Sequence, residues 1–152
     1  MRRGRAVGLR ANMCAMIVTA RLTFSAAHRL HNPKFDAEWN RSTYDKCDNP
    51  GGHGHNYVIE VSVSGVIDED TGMVIDLKKL KDLVRRNVID LVDHRNLNED
   101  VDFLRGVIPT AENLARRFWQ QLAPAVDQGT LQEIRLQETE KNSVIYRGED
   151  EA

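Results

Sequence analysis

Two stretches of strict apolar and polar alternation set the frame for this chain. Val18, Ala20, Leu22, Phe24 and Ala26 alternate with Thr19, Arg21, Thr23 and Ser25. Tyr57, Ile59, Val61 and Val63 alternate with Val58, Glu60, Ser62 and Ser64. A period of two belongs to a strand with one buried face, so each stretch predicts a strand. Between them runs a polar segment, His31 to Gly54, holding Asn32-Pro33 and the run Asp48-Asn49-Pro50-Gly51-Gly52. It predicts a long loop. Loops of that length inside a compact domain are usually functional or disordered.

Asp68 to Gly72 predicts a turn, and Met73-Val74-Ile75 a short strand returning as a hairpin. Asp76 is placed to cap a helix in which Leu77, Leu80, Val84, Val88 and Leu91 form one stripe. Thr110 caps a second helix, with Glu112 in its first turn complementing the dipole. Ala111, Leu114, Ala115, Phe118, Trp119 and Leu122 make its buried face, and Pro124 ends it. A strand over Leu131–Glu138 and a short one over Val144–Tyr146 complete the chain. Strands and helices are segregated rather than alternating. The expected class is α+β, a mainly antiparallel sheet with two helices on one face. Its other face and edges stay uncovered, and oligomerisation is the economical way to cover them.

Composition removes whole classes. With 152 residues, 41% hydrophobic and 29% charged, the chain suits one globular domain. No apolar run approaches the ~20 residues of a membrane span. Two cysteines, Cys14 and Cys47, cannot build a multi-bridge scaffold. A formal net charge of -2 gives no electrostatic reason to expect nucleic acid. Arg2, Arg3, Arg5 and Arg10 make residues 1–15 a basic tail without an apolar signal core, expected to be disordered, ahead of one domain over 16–152. The expected compartment is the cytoplasm.

Five histidines carry the strongest chemical signal. His53 and His55 sit at i and i+2 leading into the second strand. In an extended chain their side chains share a face, with Cα atoms ~6.6–7 Å apart. His28 ends the first strand in phase with Phe24 and Ala26. If the two strands pair, the three imidazoles meet. Three neutral imidazoles with an open fourth position describe catalytic zinc; the other reading is three separately hydrogen-bonded histidines. His31 lies beyond the strand and reads as a surface residue.

Cys47 stands six positions before His53. A thiol near a cation and an imidazole can ionise near neutral pH and act as base or nucleophile. The alternatives are an inert loop cysteine or a fourth zinc ligand. Asp93-His94 follows the first long helix. A carboxylate bonded to an imidazole fixes its tautomer, although adjacent side chains on an extended chain diverge and would work as two separately placed groups. A histidine favoured by a helix C-terminus is the alternative. Glu138 falls on the apolar parity of Ile134 and Leu136 and needs a partner. It could accept two N–H donors from a 2-aminopyrimidinone edge or close a salt bridge.

The run KCDNPGGHGHNY, Lys46 to Tyr57, resembles the 6-pyruvoyl-tetrahydropterin synthase and 6-carboxytetrahydropterin synthase family. So do FSAAHRL upstream and VDHRNLN, PTAEN and LQETEKN downstream, in order from Met16 to Gly148. The resemblance implies the tunnelling fold, a sheet that closes into a barrel in a trimer, with two trimers stacked as a hexamer. It implies zinc on His28, His53 and His55. It implies Cys47 as the proton-abstracting base, assisted by Asp93 and His94 from a neighbouring subunit. It also implies Glu138 as the pterin anchor, with Thr110 and Glu112 lining the pterin pocket. Both branches of the family start from 7,8-dihydroneopterin triphosphate. Five residues between Cys47 and His53 match the longer gap of the pyruvoyl type, whereas Asp48 and Gly51 stand where that type usually shows asparagine. The pyruvoyl branch eliminates triphosphate and keeps three side-chain carbons. The carboxy branch, of queuosine synthesis, also releases acetaldehyde. A reading of another class is a non-catalytic oligomeric module binding zinc or pterin.

Overall fold

The computed structural model describes residues 16–149; the basic N-terminal tail lies outside the described residues. Both alternating stretches are strands, β1 (Met16–His28) and β2 (His53–Gly65). They pair antiparallel along their whole length, from Met16 opposite Gly65 to His28 opposite His53. β4 (Thr130–Thr139) pairs antiparallel with β2, and β5 (Asn142–Tyr146) with β4. A two-residue strand, β3 (Arg95–Asn96), runs parallel to β1 at Ala26 and Ala27. The sheet order is β3-β1-β2-β4-β5.

Alternation decides what each face meets. Ala20, Leu22, Phe24 and Ala26 of β1 and Tyr57, Ile59, Val61 and Val63 of β2 point inward and are buried. They pack with Ile134 and Leu136 of β4 against Leu80, Leu83, Val84 and Val88, and against Leu114, Phe118 and Leu122 of the C-terminal helix α4 (Ala111–Leu122). Phe24 stacks on Tyr57 at 4.7 Å between centroids and meets the Phe118 ring edge-on at 5.9 Å. Each aromatic pair adds ~0.5–1.5 kcal/mol beyond its buried area. The opposite face is polar, with Thr19 Oγ1 and Ser62 Oγ 2.8 Å apart. No described element covers it.

Three local expectations need correction, and one short strand was not expected. The polar segment is not a continuous loop. It contains helix α1 (Ala37–Tyr44), capped by Asp36, and a 3₁₀ turn over Asp45–Asp48. Its one buried side chain is polar, Asn40, so no apolar stripe marks it. Met73–Ile75 does not form a returning strand. The Asp68 carboxylate accepts the Asp70 and Thr71 N–H groups and closes the turn locally, while Ile75 enters the core. The stripe of the helix after Asp76 changes phase. The α-helical run α2 (Leu77–Val84) passes into a π-helical turn, Arg85–Ile89, before α3 (Asp90–Val92). Wider turns rotate later residues around the axis, so Val92 is buried where Leu91 was expected, and Leu91 is exposed. Leu77, in the first turn of α2, is exposed as well. β3 carries no pattern long enough to announce it.

Asn40 explains how so polar a segment keeps its shape. Fully buried, it accepts the Asn32 N–H at 2.7 Å. Its amide donates to the carbonyls of Asn32, Phe35 and Asp36 at 2.9–3.1 Å. Asn40→Leu would leave these backbone groups unpaired. We predict a loss of about 1–3 kcal/mol in urea unfolding, and an unchanged midpoint would refute this account.

Candidate active site

His28 continues the inward row of β1 and is 1% exposed. Its Nδ1 lies 2.8 Å from the Pro109 carbonyl oxygen. A carbonyl only accepts, so Nδ1 carries the proton and Nε2 presents a lone pair. His53 Nε2 stands 3.1 Å from His28 Nε2. His55 Nε2 is buried without a hydrogen-bond partner, 3.7 Å from Glu138 Oε1. One nitrogen from each of the three histidines falls within 4.8 Å of the others. Burial pushes the His28 pKa down to about 4, with the Pro109 bond opposing and His53 and His55 adding to the fall. His55 is also lowered, by burial first, with Glu138 opposing. A divalent cation would take up the lone pair of His28 Nε2 and satisfy His55 Nε2, so the donor set fits a metal with an open position. The turn before His53 depends on Gly52, whose φ is 69° and whose added Cβ would stand 3.0 Å from the His28 oxygen.

Cys47 lies on the 3₁₀ turn rather than on a free Gly- and Pro-rich loop, and its carbonyl accepts the Leu30 N–H at 2.8 Å. It does not join the three converging histidines, which removes support for a fourth protein ligand. It lines an opening of about 570 Å³ with Lys46, Asn49 and His53. Burial pushes its thiol pKa up, as do the charges of Glu138 and Asp45. Ionisation near neutral pH therefore calls for a cation that these groups do not supply.

Asp93 and His94 were expected to diverge, and they do not. His94 adopts φ 58°, which folds its ring back so that Nδ1 lies 3.0 Å from Asp93 Oδ1. The same oxygen accepts the Ser25 N–H at 2.9 Å, and His94 N–H donates to the Ser25 carbonyl. The Ser25 bond, then His94, holds the Asp93 carboxyl below its usual range. The His94 side chain is 81% exposed. It faces a cleft of about 480 Å³ that also takes in Ser25, Gly54, His55, Asn56 and Asn96. The pair bonds the backbone N–H and carbonyl of Ser25, so it stands at the open edge of β1, three residues before His28. Within one chain it shares no cleft with Cys47.

Glu138 stands where the pairing of β4 with β5 slips between Gln137 and Thr139. Half-buried there, it shares a cleft of about 600 Å³ with Tyr44, Thr110, Glu112 and Lys141. Thr110 also caps α4, its Oγ1 accepting the Asn113 N–H at 3.2 Å. His31 stays away from the imidazole cluster, its Nδ1 2.7 Å from Asp48 Oδ1. Two further groups shape the site. The Pro109 carbonyl orients His28 and leaves no side-chain signal. Tyr57, whose hydroxyl lies 3.3 Å from His28 Nδ1, shares the parity of His53 and His55 and could have been read from it.

The sequence profile of the 6-pyruvoyl tetrahydropterin synthase family matches residues 17–149. A Dictyostelium discoideum protein named 6-pyruvoyl tetrahydrobiopterin synthase is 45% identical over 134 residues, covering 88% of this chain and 97% of that protein. The solved structure of Caenorhabditis elegans 6-pyruvoyl tetrahydropterin synthase superposes with a TM-score of 0.85 at 40% identity, covering 90% of this chain and 98% of that one. An Archaeoglobus fulgidus protein named putative 6-carboxy-5,6,7,8-tetrahydropterin synthase is 37% identical over 108 residues, covering 71% of this chain and 76% of that protein.

The imidazole geometry makes a metal prediction. Elemental analysis of protein purified without added metal should find about one divalent ion per chain, falling sharply in His53→Ala. The same metal content in both proteins would rule out the cluster as the binding site.

Proposed function

The chain belongs to the 6-pyruvoyl tetrahydropterin synthase family, and we propose how its residues carry the activity of that family. It is a lyase of the pyruvoyltetrahydropterin synthase type, acting on 7,8-dihydroneopterin triphosphate. His28, His53 and His55 would hold zinc, with Cys47 outside the ligand set. Zinc would supply Lewis-acid polarisation of the substrate's side-chain hydroxyls. The observation that carries this reading is the 3.7 Å between His55 Nε2 and Glu138 Oε1. A ligand anchored on that carboxylate by its amino-pyrimidinone edge would lie beside the imidazoles.

Each residue then has a definite task. Glu138 accepts paired N–H donors from the ring. Thr110 and Glu112 form the wall of the same cleft. Cys47 takes a carbon-bound proton from the side chain as triphosphate departs. Asp93 fixes the tautomer of His94, whose exposed ring moves protons during the tautomerisation that follows.

The assembly belongs to the same proposal. The polar face is uncovered, and β1 is paired on its outer side only around Ala26 and Ala27. An Asp93–His94 pair at that edge serves the Cys47 of a neighbouring chain, in a hexamer of two stacked trimers. The carboxy branch is the second reading, favoured by the archaeal relative. Its product separates it, since that branch releases acetaldehyde.

Incubation with dihydroneopterin triphosphate and mass analysis of the products tests activity and branch together. We predict a product retaining all three side-chain carbons, and acetaldehyde would assign the carboxy branch instead. Cys47→Ala should lose turnover by ~10²–10⁴-fold while keeping its metal. Metal loss in that variant would make Cys47 a ligand, and unchanged turnover would remove it from the chemistry. Mixing inactive Cys47→Ala with inactive His94→Ala should restore part of the activity once subunits exchange. No recovery after verified exchange would exclude a site shared between chains.

A further inference from the structure

The 3₁₀ turn that carries Cys47 is fixed by a cluster outside the imidazole and pterin groups. Asp48, the residue after Cys47, has a side chain only 11% exposed. Its Oδ1 accepts from three donors: His31 Nδ1 at 2.7 Å, and Arg29 Nη2 at 2.9 Å and Nε at 3.2 Å. Arg29 Nε also donates to the Asp48 carbonyl at 2.9 Å. Between these bonds, Leu30 N–H donates to the Cys47 carbonyl at 2.8 Å. Arg29, Leu30 and His31 follow directly on His28. Three consecutive residues leaving the buried histidine thus hold two consecutive residues of the thiol turn.

The anchor is itself anchored. Arg29 N–H donates to Asn98 Oδ1 at 2.8 Å, and Asn98 Nδ2 donates back to the Arg29 carbonyl at 2.8 Å. The His31 hydrogen bond, then the Arg29 guanidinium, holds the Asp48 carboxyl below its usual range, so it remains an acceptor for all three donors. The turn has little else to fix it. It buries no side chain of its own, and its first residue, Asp45, is held at φ 49°. Without Asp48 the backbone bond from Leu30 would remain, and the turn could pivot about it.

We propose that Asp48 is a positioning residue, clamped by Arg29 and His31 so that the Cys47 thiol stands at a set distance from the metal-binding imidazoles. The inference rests on the reading of Cys47 as the base. Cys47 touches the substrate, whereas Asp48 acts only through the turn. An error of about 1 Å in placing a reacting group can cost on the order of a hundredfold in rate. The clamp is therefore worth testing as a contribution to kcat rather than to substrate affinity.

The test uses Asp48→Ala and Asp48→Asn in the full chain with its metal. Three quantities are measured: metal content, kcat and KM, and the rate of Cys47 alkylation by iodoacetamide. Alkylation is located by peptide mass, because Cys14 is also a thiol. Asp48→Ala should lower kcat about tenfold or more with KM within about twofold, keep its metal, and change the alkylation rate. Asp48→Asn keeps the accepting oxygen and should stay within about threefold of the parent kcat. An alanine variant with parental kcat and alkylation rate would overturn the proposal. Equal losses in both variants would also overturn it, since charge rather than placement would then be responsible. Loss of metal in Asp48→Ala would reduce the clamp to a support of the metal site. If Asp48→Ala does not fold, His31→Ala, which removes one of the three donors, should lower kcat and shift the alkylation rate in the same sense; parental values there would overturn the proposal. Alkylation needs no turnover, so a failure of the base reading, seen as an active Cys47→Ala, is distinguishable from a failure of the clamp.

Discussion

Residue by residue, β1 and β2 pair antiparallel from Met16 against Gly65 to His28 against His53, and this pairing leaves little freedom in how the site is built. Side chains alternate between faces, so a slip of one residue would exchange the whole inward row for the outward one. Phe24, Ala26 and His28 would then face outward, and Ser25 and Ala27 would enter the core. The apolar row that packs on Phe118 is thus the same device that aims His28 at His53. The imidazole cluster is the end of the hydrophobic core, and its register is specified by residues with no part in the chemistry.

Placing imidazoles at the end of a core carries an electrostatic consequence. Burial disfavours the charged form, and in His28 it outweighs the hydrogen bond to Pro109. His28 is therefore held neutral, with Nδ1–H bound to Pro109 and Nε2 turned towards His53, and His55 Nε2 is left without a partner unless a cation joins them. Burial also raises the proton affinity of the Cys47 thiol. It thus favours the neutral form of both groups. Neutral imidazoles keep a lone pair to offer, whereas the thiol would need a cation beside it to ionise near neutral pH.

Much of this was legible in the sequence because it rests on periodicity. The parity of His28 with Phe24 and Ala26, and the His53–His55 spacing, placed the cluster before any contact was known, and Thr110 with Pro124 bounded α4. What escaped rests on single polar interactions without a period. Helix α1 is organised by Asn40 rather than by an apolar stripe. The Asp93–His94 contact depends on one positive φ angle, which no neighbouring glycine announces. The π-helical turn shifted the stripe after Arg85, and strand β3 is two residues long. Asp48 is marked by three donors around one oxygen, which no spacing in the sequence announces.

Strand β1 also links the two halves of the chemistry. Its inward residue His28 belongs to the imidazole cluster. Three residues earlier, its outward-facing Ser25 gives its backbone N–H to Asp93 and its carbonyl to His94 N–H. Directly after His28, Arg29 takes hold of Asp48 and, through Asn98, of the loop that follows His94. Seven consecutive residues, Ser25 to His31, therefore place an imidazole of the cluster, a carboxylate–imidazole pair and the turn bearing a thiol. The pair hangs on the edge of β1 by the two backbone bonds of Ser25, and the cluster is the inward end of the same strand, so a change of register in β1 would displace all three together.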